Sequence, residues 1–531
     1  MKKYIVFALA CFSVFGIKAQ ENLNNEIIDV VKDFRPKIMQ AHKIKSQPLF
    51  IDTTKVSQNL KYLIRFEEFR VSQNLDSLRA RVLSRSPFEY FYSKHIELGL
   101  GTYLNPHLAL DLSNGKSTKS IYQAYLNYNG AFSEEDNSQN KFSNLNFGGA
   151  YKRVFNAFVL QSNLLFKDEF RFDLDETPYR NSNIDYDAAF LFTDTISALI
   201  PKELHISSNV FFRNTKFNEY QISAATFQSG HLNKIRNWDF NNDFSFLQSN
   251  DVNTLHWTSN LSTSRNTKRV IVKVGLNTDL LVDNIKIFPE IRAQYELINK
   301  GLFTYAEVGG DRHLYSLQNV YGANPYTYES SVITEDLLPS NTKYFARVGI
   351  NGSLFRGVSY QVSLEANTQD GFMHFIESRN YFAPYEPRFI PKFTTVNMVK
   401  LNAQIDAKWT DKFHVWLKGE YKSFDKYLSH VPELEVGLYG DYHYNDQWFI
   451  TSSVRYTGAR EYLVDDVNLS INHSSYKVDP MIDLNCKVNF AYNKQIGFYI
   501  EGMNLLNNSF GFLQQELLIG RRLNLGAKYR F

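Results

Sequence analysis

Hydrophobic and polar residues alternate with a period of two along most of the chain beyond residue 88. The C-terminal segment shows the pattern most clearly, with apolar residues on one face and polar residues or glycine on the other: Leu523, Leu525, Ala527, Tyr529 and Phe531 against Asn524, Gly526, Lys528 and Arg530. Segments that start near residues 285, 358, 401 and 434 alternate in the same way. Because successive side chains of a strand point to opposite faces, the pattern predicts β-strands with one apolar face.

The length of these segments separates a membrane barrel from a soluble sheet. They run over roughly 9–13 residues, whereas soluble strands centre on about 5–6 residues and tilted strands that cross a bilayer need about 9–11. Aromatic residues such as Trp409, Tyr442 and Trp448 lie towards the ends of the apolar face, as in the girdles of membrane barrels. The opposite face carries charges of both signs, which the core of a β-sandwich would not tolerate. We therefore predict an all-β fold, a transmembrane antiparallel up-and-down β-barrel.

Short and long connections alternate along the chain, as is typical of an up-and-down barrel. Tight turns are predicted at residues 283–284, 410–412, 444–446 and 493–495, and these suit the periplasmic side of a barrel. Longer connections are predicted at roughly 215–235, 311–341, 378–395 and 457–475. The barrel is assigned to residues 88–531. The pattern there gives about twenty strands, so we expect an even number of about 16–22.

The N-terminus carries the features of a secretory signal peptide over residues 1–19. A basic start, Met1-Lys2-Lys3, precedes an apolar run that ends near Ile17, and Ala19 supplies the small residue at the predicted cleavage site. Beyond residue 19, no run of about 18 apolar residues is present. The exported chain is therefore expected in the outer membrane as a barrel.

Residues 20–87 lack the long alternation and are predicted to form an N-terminal periplasmic segment. One interpretation is a tail, or a remnant of a plug, that lies against the barrel mouth or inside it. The other is a docking peptide for an energy-transducing periplasmic partner, because a short apolar segment can add as a strand to a partner's sheet. The residues of that docking segment are Ile27, Ile28, Asp29, Val30 and Val31.

Charge and composition exclude other classes of protein. Removal of Lys2, Lys3 and Lys18 with the signal peptide reduces the 58 basic residues to 55, which equals the 55 acidic residues. A balanced charge argues against a nucleic-acid binder with a dominant basic face. A mean hydropathy of −0.35 argues against a bundle of transmembrane helices.

Seven charged residues from four consecutive predicted strands share the phase of the polar face and are expected to face the lumen: Asp406, Lys408, Lys418, Glu420, Glu435, Asp441 and Arg455. They form either a charged wall that selects solutes or a set of mutual salt bridges that fills the lumen. The connection at 311–341 is rich in tyrosine. It is expected to cap or constrict the pore, with a recognition surface as the alternative.

The sequence gives no indication of enzyme chemistry, a cofactor or a metal. Neither a phosphate-binding Gly-x-x-x-x-Gly-Lys-Ser/Thr loop nor a His-Glu-x-x-His motif is present. Ser429-His430 and His473-Ser474 are adjacent in sequence, but adjacent strand residues point to opposite faces and do not form a catalytic pair. We predict that the protein is not an enzyme.

The C-terminal region resembles the end of TonB-dependent receptors. The matching elements are Asn504-Leu505-Leu506-Asn507, Gly520-Arg521 and Gly526-x-x-Tyr529-x-Phe531, over about 30 residues. The segments Val30–Pro36, Lys18-Ala19-Gln20 and His95–Gly101 are similar to those of receptor-like barrels from Bacteroidetes-type outer membranes. The chain departs from the receptor family in having no recognisable plug domain, since residues 20–87 are too few for one.

This resemblance implies a receptor-like or porin-like outer-membrane barrel for the passage or uptake of an unidentified solute. The expected partners are outer-membrane lipid, the solute and an energy-transducing periplasmic protein. The alternative is a structural or assembly subunit whose barrel is occluded and binds a partner protein.

Overall fold

The computed structural model describes most of the chain from Lys94 to Phe531. The described ranges are 94–114, 120–132, 141–172, 178–192, 201–214, 216–231, 236–249, 252–267, 269–281, 284–298, 301–324, 327, 339–355, 357–380, 383–466, 474–508 and 520–531. The predicted signal peptide, the segment 20–87 and the docking residues Ile27 to Val31 lie outside these ranges.

Long strands dominate the described part of the chain. The first twelve are β1 Lys94–Gly101, β2 Asn105–Ser113, β3 Ser120–Ala131, β4 Phe142–Val154, β5 Phe158–Phe172, β6 Pro178–Phe192, β7 Glu203–Arg213, β8 Lys216–His231, β9 Arg236–Ser249, β10 Val252–Asn266, β11 Val270–Leu281 and β12 Asn284–Ile298. The next twelve are β13 Leu302–Leu314, β14 Ser340–Phe355, β15 Val358–Asn380, β16 Ala383–Thr410, β17 Phe413–Phe424, β18 Leu434–His443, β19 Trp448–Thr457, β20 Arg460–Asp466, β21 Ser474–Val478, β22 Met481–Ala491, β23 Ile496–Met503 and β24 Arg522–Arg530. One short helix, α1 Leu317–Ala323, follows β13.

Twenty-two of these strands close into an antiparallel barrel. Each strand from β1 to β19 pairs with the next, β19 pairs with β22, and β22 to β24 continue the wall. The barrel closes where β24 pairs with β1, with Glu97 opposite Lys528. Strands β20 and β21 form a hairpin outside this wall. The predicted fold class is therefore confirmed, at the upper end of the predicted strand number.

The two faces of the wall differ as the alternation predicts. On β24, Leu525 is 59% exposed and the adjacent Asn524 is 4% exposed. The amine of Lys487 on β22 lies 3.1 Å from the carboxylate of Glu97 on β1, past two intervening strands, so this ion pair crosses the concave side of the wall. The face with the ion pairs is therefore the lumen, and the face with the exposed aliphatic residues is the outer surface.

Three of the four predicted tight turns lie at one end of the barrel. The connections β16–β17, β18–β19 and β22–β23 lie at the end that holds Phe531, which we call the near end. The fourth turn, at residues 283–284, was predicted for the wrong end of the barrel. It joins β11 to β12 at the opposite end, which we call the far end and which also holds the long connections. Each strand reverses direction, so strand order and not turn length decides the end at which a turn lies.

Two of the predicted long connections are mainly strand. Residues 216–231 form β8, and residues 383–395 belong to β16. Residues of β15 beyond Asp370 pair with β16 but not with β14, so this hairpin extends past its neighbour at the far end. Gly371, with a φ of +88°, lies at the irregularity where the extension begins. Among the described residues, no helix is long and apolar enough to cross a membrane.

Candidate transport site

The seven charged residues predicted from sequence lie on four adjacent strands, β16 to β19. The cross-strand register places them on the same face as one another, for example Glu420 opposite Glu435 and His414 opposite both Lys408 and Asp441. Their neighbours along the strands, such as Ile405 and Leu438, are exposed on the outer surface. The structure therefore brings all seven to the lumen wall.

Four of the wall residues form a compact ion-pair cluster. The carboxylate of Glu420 lies 2.6 Å from the amine of Lys400 and 2.7 Å from the amine of Lys422. Lys422 also lies 3.0 Å from Glu435. Lys400 and Lys422 were not singled out from the sequence, although they have the same strand phase as Lys408 and Lys418. In this cluster, the charges satisfy one another.

A second group of charged residues lies at the near end of the barrel. Both carboxylate oxygens of Asp406 lie 3.1 Å from Nε2 of His414, and Lys408 lies 3.1 Å from Asp411 in the following turn. Residues of this group line a cavity of about 310 Å³, in which lysine and arginine outnumber the carboxylates among the charged lining residues. Its lining includes Lys408, His414, Asp441, His443, Lys528 and Arg530.

Lys418 and Arg455 differ from the other wall cations. They lie on either side of Gly437 in the register of β17, β18 and β19. Neither forms an ion pair with any carboxylate in the described part of the chain. These two positive charges are therefore available to the lumen.

Other parts of the wall hold ion pairs that the sequence analysis did not single out. Nε of Arg312 donates to Asp279 at 2.6 Å, and both side chains are almost fully buried. Arg347 and Lys343 both contact Glu365. Strand phase would have placed these residues on the lumen face. Which of them form ion pairs depends on the register between neighbouring strands, which the sequence does not show. No cluster of three or more metal-ligating side chains occurs among the described residues.

Helix α1 lies at the far end, between strands β7 and β8 on one side and the β15–β16 extension on the other. Its N-terminus is a capping box, in which Oγ of Ser316 accepts from the Asn319 amide at 3.1 Å and the Asn319 side chain accepts from the Ser316 amide at 3.2 Å. The amide of Leu317 donates to a carboxylate oxygen of Glu219 on β8 at 2.5 Å. These contacts fix the start of α1 against the lumen face of β8.

The buried side of α1 packs on two distant strands. Leu317, Val320 and Tyr321 form one core cluster, with Phe211 of β7 on one side and with Phe375 of β15 and Phe389 of β16 on the other. Because Phe375 and Phe389 belong to the β15–β16 extension, α1 connects the lumen face of β7 with this extension, and its seven residues cover about 10 Å. This placement agrees with the expectation that the connection 311–341 caps or constricts the pore.

The loop at 425–433 and the hairpin β20–β21 hold the extension of β15 in place. Nδ1 of His430 donates to the Phe375 carbonyl at 3.3 Å, and the His430 amide donates to the Glu461 carbonyl at 2.8 Å. Strand β20 pairs in parallel with the end of β15. Burial lowers the pKa of His430 to about 4, so the ring is neutral in this arrangement. We call α1, the β15–β16 extension, loop 425–433 and β20–β21 the far-end cap.

Comparison with known proteins gives a likeness in structure only. No protein-family model matches the chain, and no curated protein matches it in sequence. The pyoverdine outer membrane receptor from Pseudomonas aeruginosa, bound to pyoverdine, is similar with a TM-score of 0.62 at 11% identity, over 83% of this chain and 78% of the receptor. The FrpB iron transporter from Neisseria meningitidis gives a TM-score of 0.63 at 9% identity, over 83% and 81% of the two chains.

A third solved structure agrees with these two. The siderophore receptor PirA from Acinetobacter baumannii gives a TM-score of 0.61 at 11% identity, over 82% of this chain and 80% of the receptor. The chain therefore has the barrel fold of TonB-dependent siderophore and iron receptors. At these identities the likeness concerns the fold.

Proposed function

We propose that the protein is an outer-membrane receptor that takes up a small solute through the lumen of its barrel. The observation that carries the proposal is a closed barrel with a charged lumen wall, in which α1 is held at the far end between β7 and the β15–β16 extension. A polar wall allows a hydrated solute to pass, and a helix held between two distant strands can restrict that passage. In this orientation, the near end faces the periplasm and the far-end cap faces the outside.

A variant of α1 tests this function. Val320 is fully buried in the cluster of the far-end cap, so Val320→Asp should release α1 from the wall. Ala323→Asp places the same charge on the exposed side of the same helix and serves as the matched control. With full-length protein in liposomes, we expect Val320→Asp to increase the swelling rate with small sugars severalfold, and Ala323→Asp to leave it unchanged.

The contrary result has a definite meaning. If neither the wild-type protein nor Val320→Asp admits small sugars or ions, the barrel is occluded, and the structural or assembly role is favoured instead. The Glu420 ion-pair cluster and the buried Arg312–Asp279 pair are the observations that support this second candidate, because satisfied charges can fill a lumen.

We also propose that residues Ile27 to Val31 dock an energy-transducing periplasmic partner. The support is the resemblance of the C-terminal motifs to TonB-dependent receptors, together with the shared barrel fold. Deletion of residues 27–31 should abolish energy-dependent uptake in cells and leave passive swelling of liposomes unchanged. Equal uptake by the deletion variant and the wild type would contradict this assignment.

A further inference from the structure

We propose that Lys418, Arg455 and Tyr439 form an anion-binding subsite on the lumen wall, which binds an oxyanion group, such as a carboxylate, of the passing solute. The inference rests on the proposed uptake function and adds the charge class of the solute. Its evidence is independent of the far-end cap.

The two cations lie at the same level of the barrel. In the register, Lys418 is opposite Gly437, and Gly437 is opposite Arg455. Neighbouring strands lie about 4.8 Å apart, so the two backbone positions are separated by roughly 10 Å. Gly437 has no side chain between these two positions, and the space in front of it is taken by the ring of Tyr439.

The hydroxyl of Tyr439 lies in front of Gly437, whose strand position is between those of the two cations. A Cβ atom built on Gly437 would lie 2.7 Å from Oη of Tyr439, so the ring leans over Gly437. The Tyr439 ring stacks on the Trp416 ring, with centroids 5.4 Å apart and planes inclined by 10°. The glycine allows this ring position and Trp416 supports it, which gives the hydroxyl a defined place in the subsite.

Within the described residues, the Lys418 amine, the Arg455 guanidinium and the Tyr439 hydroxyl have no hydrogen-bond or ion-pair partner. On the same wall, Lys400, Lys408 and Lys422 each contact a carboxylate. Asp483 lies opposite Arg455, but one of its oxygens accepts from Nδ2 of Asn485 at 2.7 Å, and no ion pair with Arg455 forms.

The chemistry of the three groups favours an anion. Lys and Arg only donate hydrogen bonds, and a tyrosine hydroxyl can donate as well. An oxyanion supplies acceptors for all three and gains charge-assisted hydrogen bonds. Since the side chains of Lys418 and Arg455 are exposed, screening by salt should weaken the binding.

The test measures binding of citrate, used as a small oxyanion probe, to the full-length protein in detergent. Trp416 stacks on Tyr439, so tryptophan fluorescence should report the binding. In the double variant Lys418→Gln, Arg455→Gln, we expect the affinity for citrate to fall by about tenfold or more, since each charge-assisted bond contributes at least that order. Tyr439→Phe should lower the affinity by a few-fold.

Two further variants serve as controls. Lys167 lies on the lumen face of β5, between Asn146 and Asn183 of the neighbouring strands, and is exposed without an adjacent cation. Lys167→Gln removes the same charge from the far side of the lumen and should leave the affinity unchanged. Gly437→Ala keeps both cations but displaces the Tyr439 ring, and it should give the same few-fold loss as Tyr439→Phe.

Equal affinity of the double variant and the wild type would overturn the subsite. An equal loss of citrate affinity in Lys167→Gln would overturn the subsite as well, because the affinity would then depend on the total charge of the lumen and not on this site. The binding measurement does not require transport. Citrate binding that depends on Lys418 and Arg455 in a barrel without solute flux would contradict the uptake function and keep the subsite.

Discussion

Adjacent residues in this barrel meet very different environments. Leu276 on β11 is 49% exposed on the outer surface, opposite Leu261 and Pro289, whereas Asn277 faces the lumen opposite Asn260. A substitution at one position should therefore say little about a substitution at the next. This contrast can be measured directly, because strand and depth are nearly the same for both residues.

We expect Leu276→Arg to destabilise the protein far more than Asn277→Arg. Arg on the lipid face near the middle of a barrel strand costs about 2–4 kcal/mol, whereas Arg in a hydrated lumen avoids hydrocarbon. Urea unfolding in lipid vesicles would measure both free energies of unfolding. Equal losses would show that the inner and outer faces are assigned incorrectly.

The strand phase of individual residues was readable from the sequence, but their pairing was not. Glu420 and Glu435 were singled out from their phase, and both lie on the lumen wall. Lys400 and Lys422, which bind them, have the same phase, but the register that brings them together depends on the whole strand pairing. The roles of Lys418 and Arg455 as solute-binding groups remain predictions.

Among the elements, β24 was clear from the sequence, whereas β8 and α1 were not. Strand β8 carries small or polar residues such as Ser223, Ala224 and Ala225 on both faces, so its alternation is weak. Helix α1 has seven residues, too few to show a helical period. Its burial depends on Glu219 and Phe211, about 100 residues earlier in the chain.

The loop that holds the β15–β16 extension should respond to acid. His430 is buried and its pKa is lowered to about 4, with the charges of Arg460 and His374 opposing protonation. In a released loop the pKa would return to about 6.5, so the released state takes up more protons between pH 6.5 and 4. Attachment of the loop should therefore be complete above about pH 6.5 and weaken as the pH falls towards 4.

Hydrogen exchange of the amides in residues 425–433 would measure this effect. We expect exchange, corrected for its intrinsic pH dependence, to accelerate by at least tenfold between pH 7 and pH 4.5. His430→Phe keeps a buried ring without a titratable group, and it should remove most of the pH dependence. Protection that is independent of pH in the wild type would show that His430 does not control the attachment.

The whole barrel is closed by a seam at which an aromatic ring lies against two glycines. The ring of Tyr499 on β23 covers Gly526 of β24 and reaches Gly99 of β1, and a Cβ atom at either glycine would collide with it. Glu97 of β1 contacts Lys528 and Lys487 on the same inner face. These contacts join the first and last strands of the wall.

We expect Gly526→Ala to destabilise the barrel by about 1–3 kcal/mol, because the added methyl group forces Tyr499 to move. Gly419→Ala is the matched control, since a Cβ atom there has no neighbour nearer than 4.0 Å. Gel electrophoresis after heating to a series of temperatures would compare the two variants. The folded barrel migrates faster than the unfolded chain, and the measured quantity is the temperature at which this difference is lost. An equal shift for both would show that the seam tolerates a Cβ atom.

The seam also sets the order in which the molecule can form. Nearly all wall pairings join strands that are neighbours in sequence, so each can form soon after its second strand is available. The contact between Lys487 and Glu97 spans 390 residues, and the pairing of β24 with β1 spans the whole barrel. Pairing of strands so far apart in sequence is slow, because the chain must first lose much conformational entropy. Until the last strand arrives, β1 keeps an open edge that other strands could join.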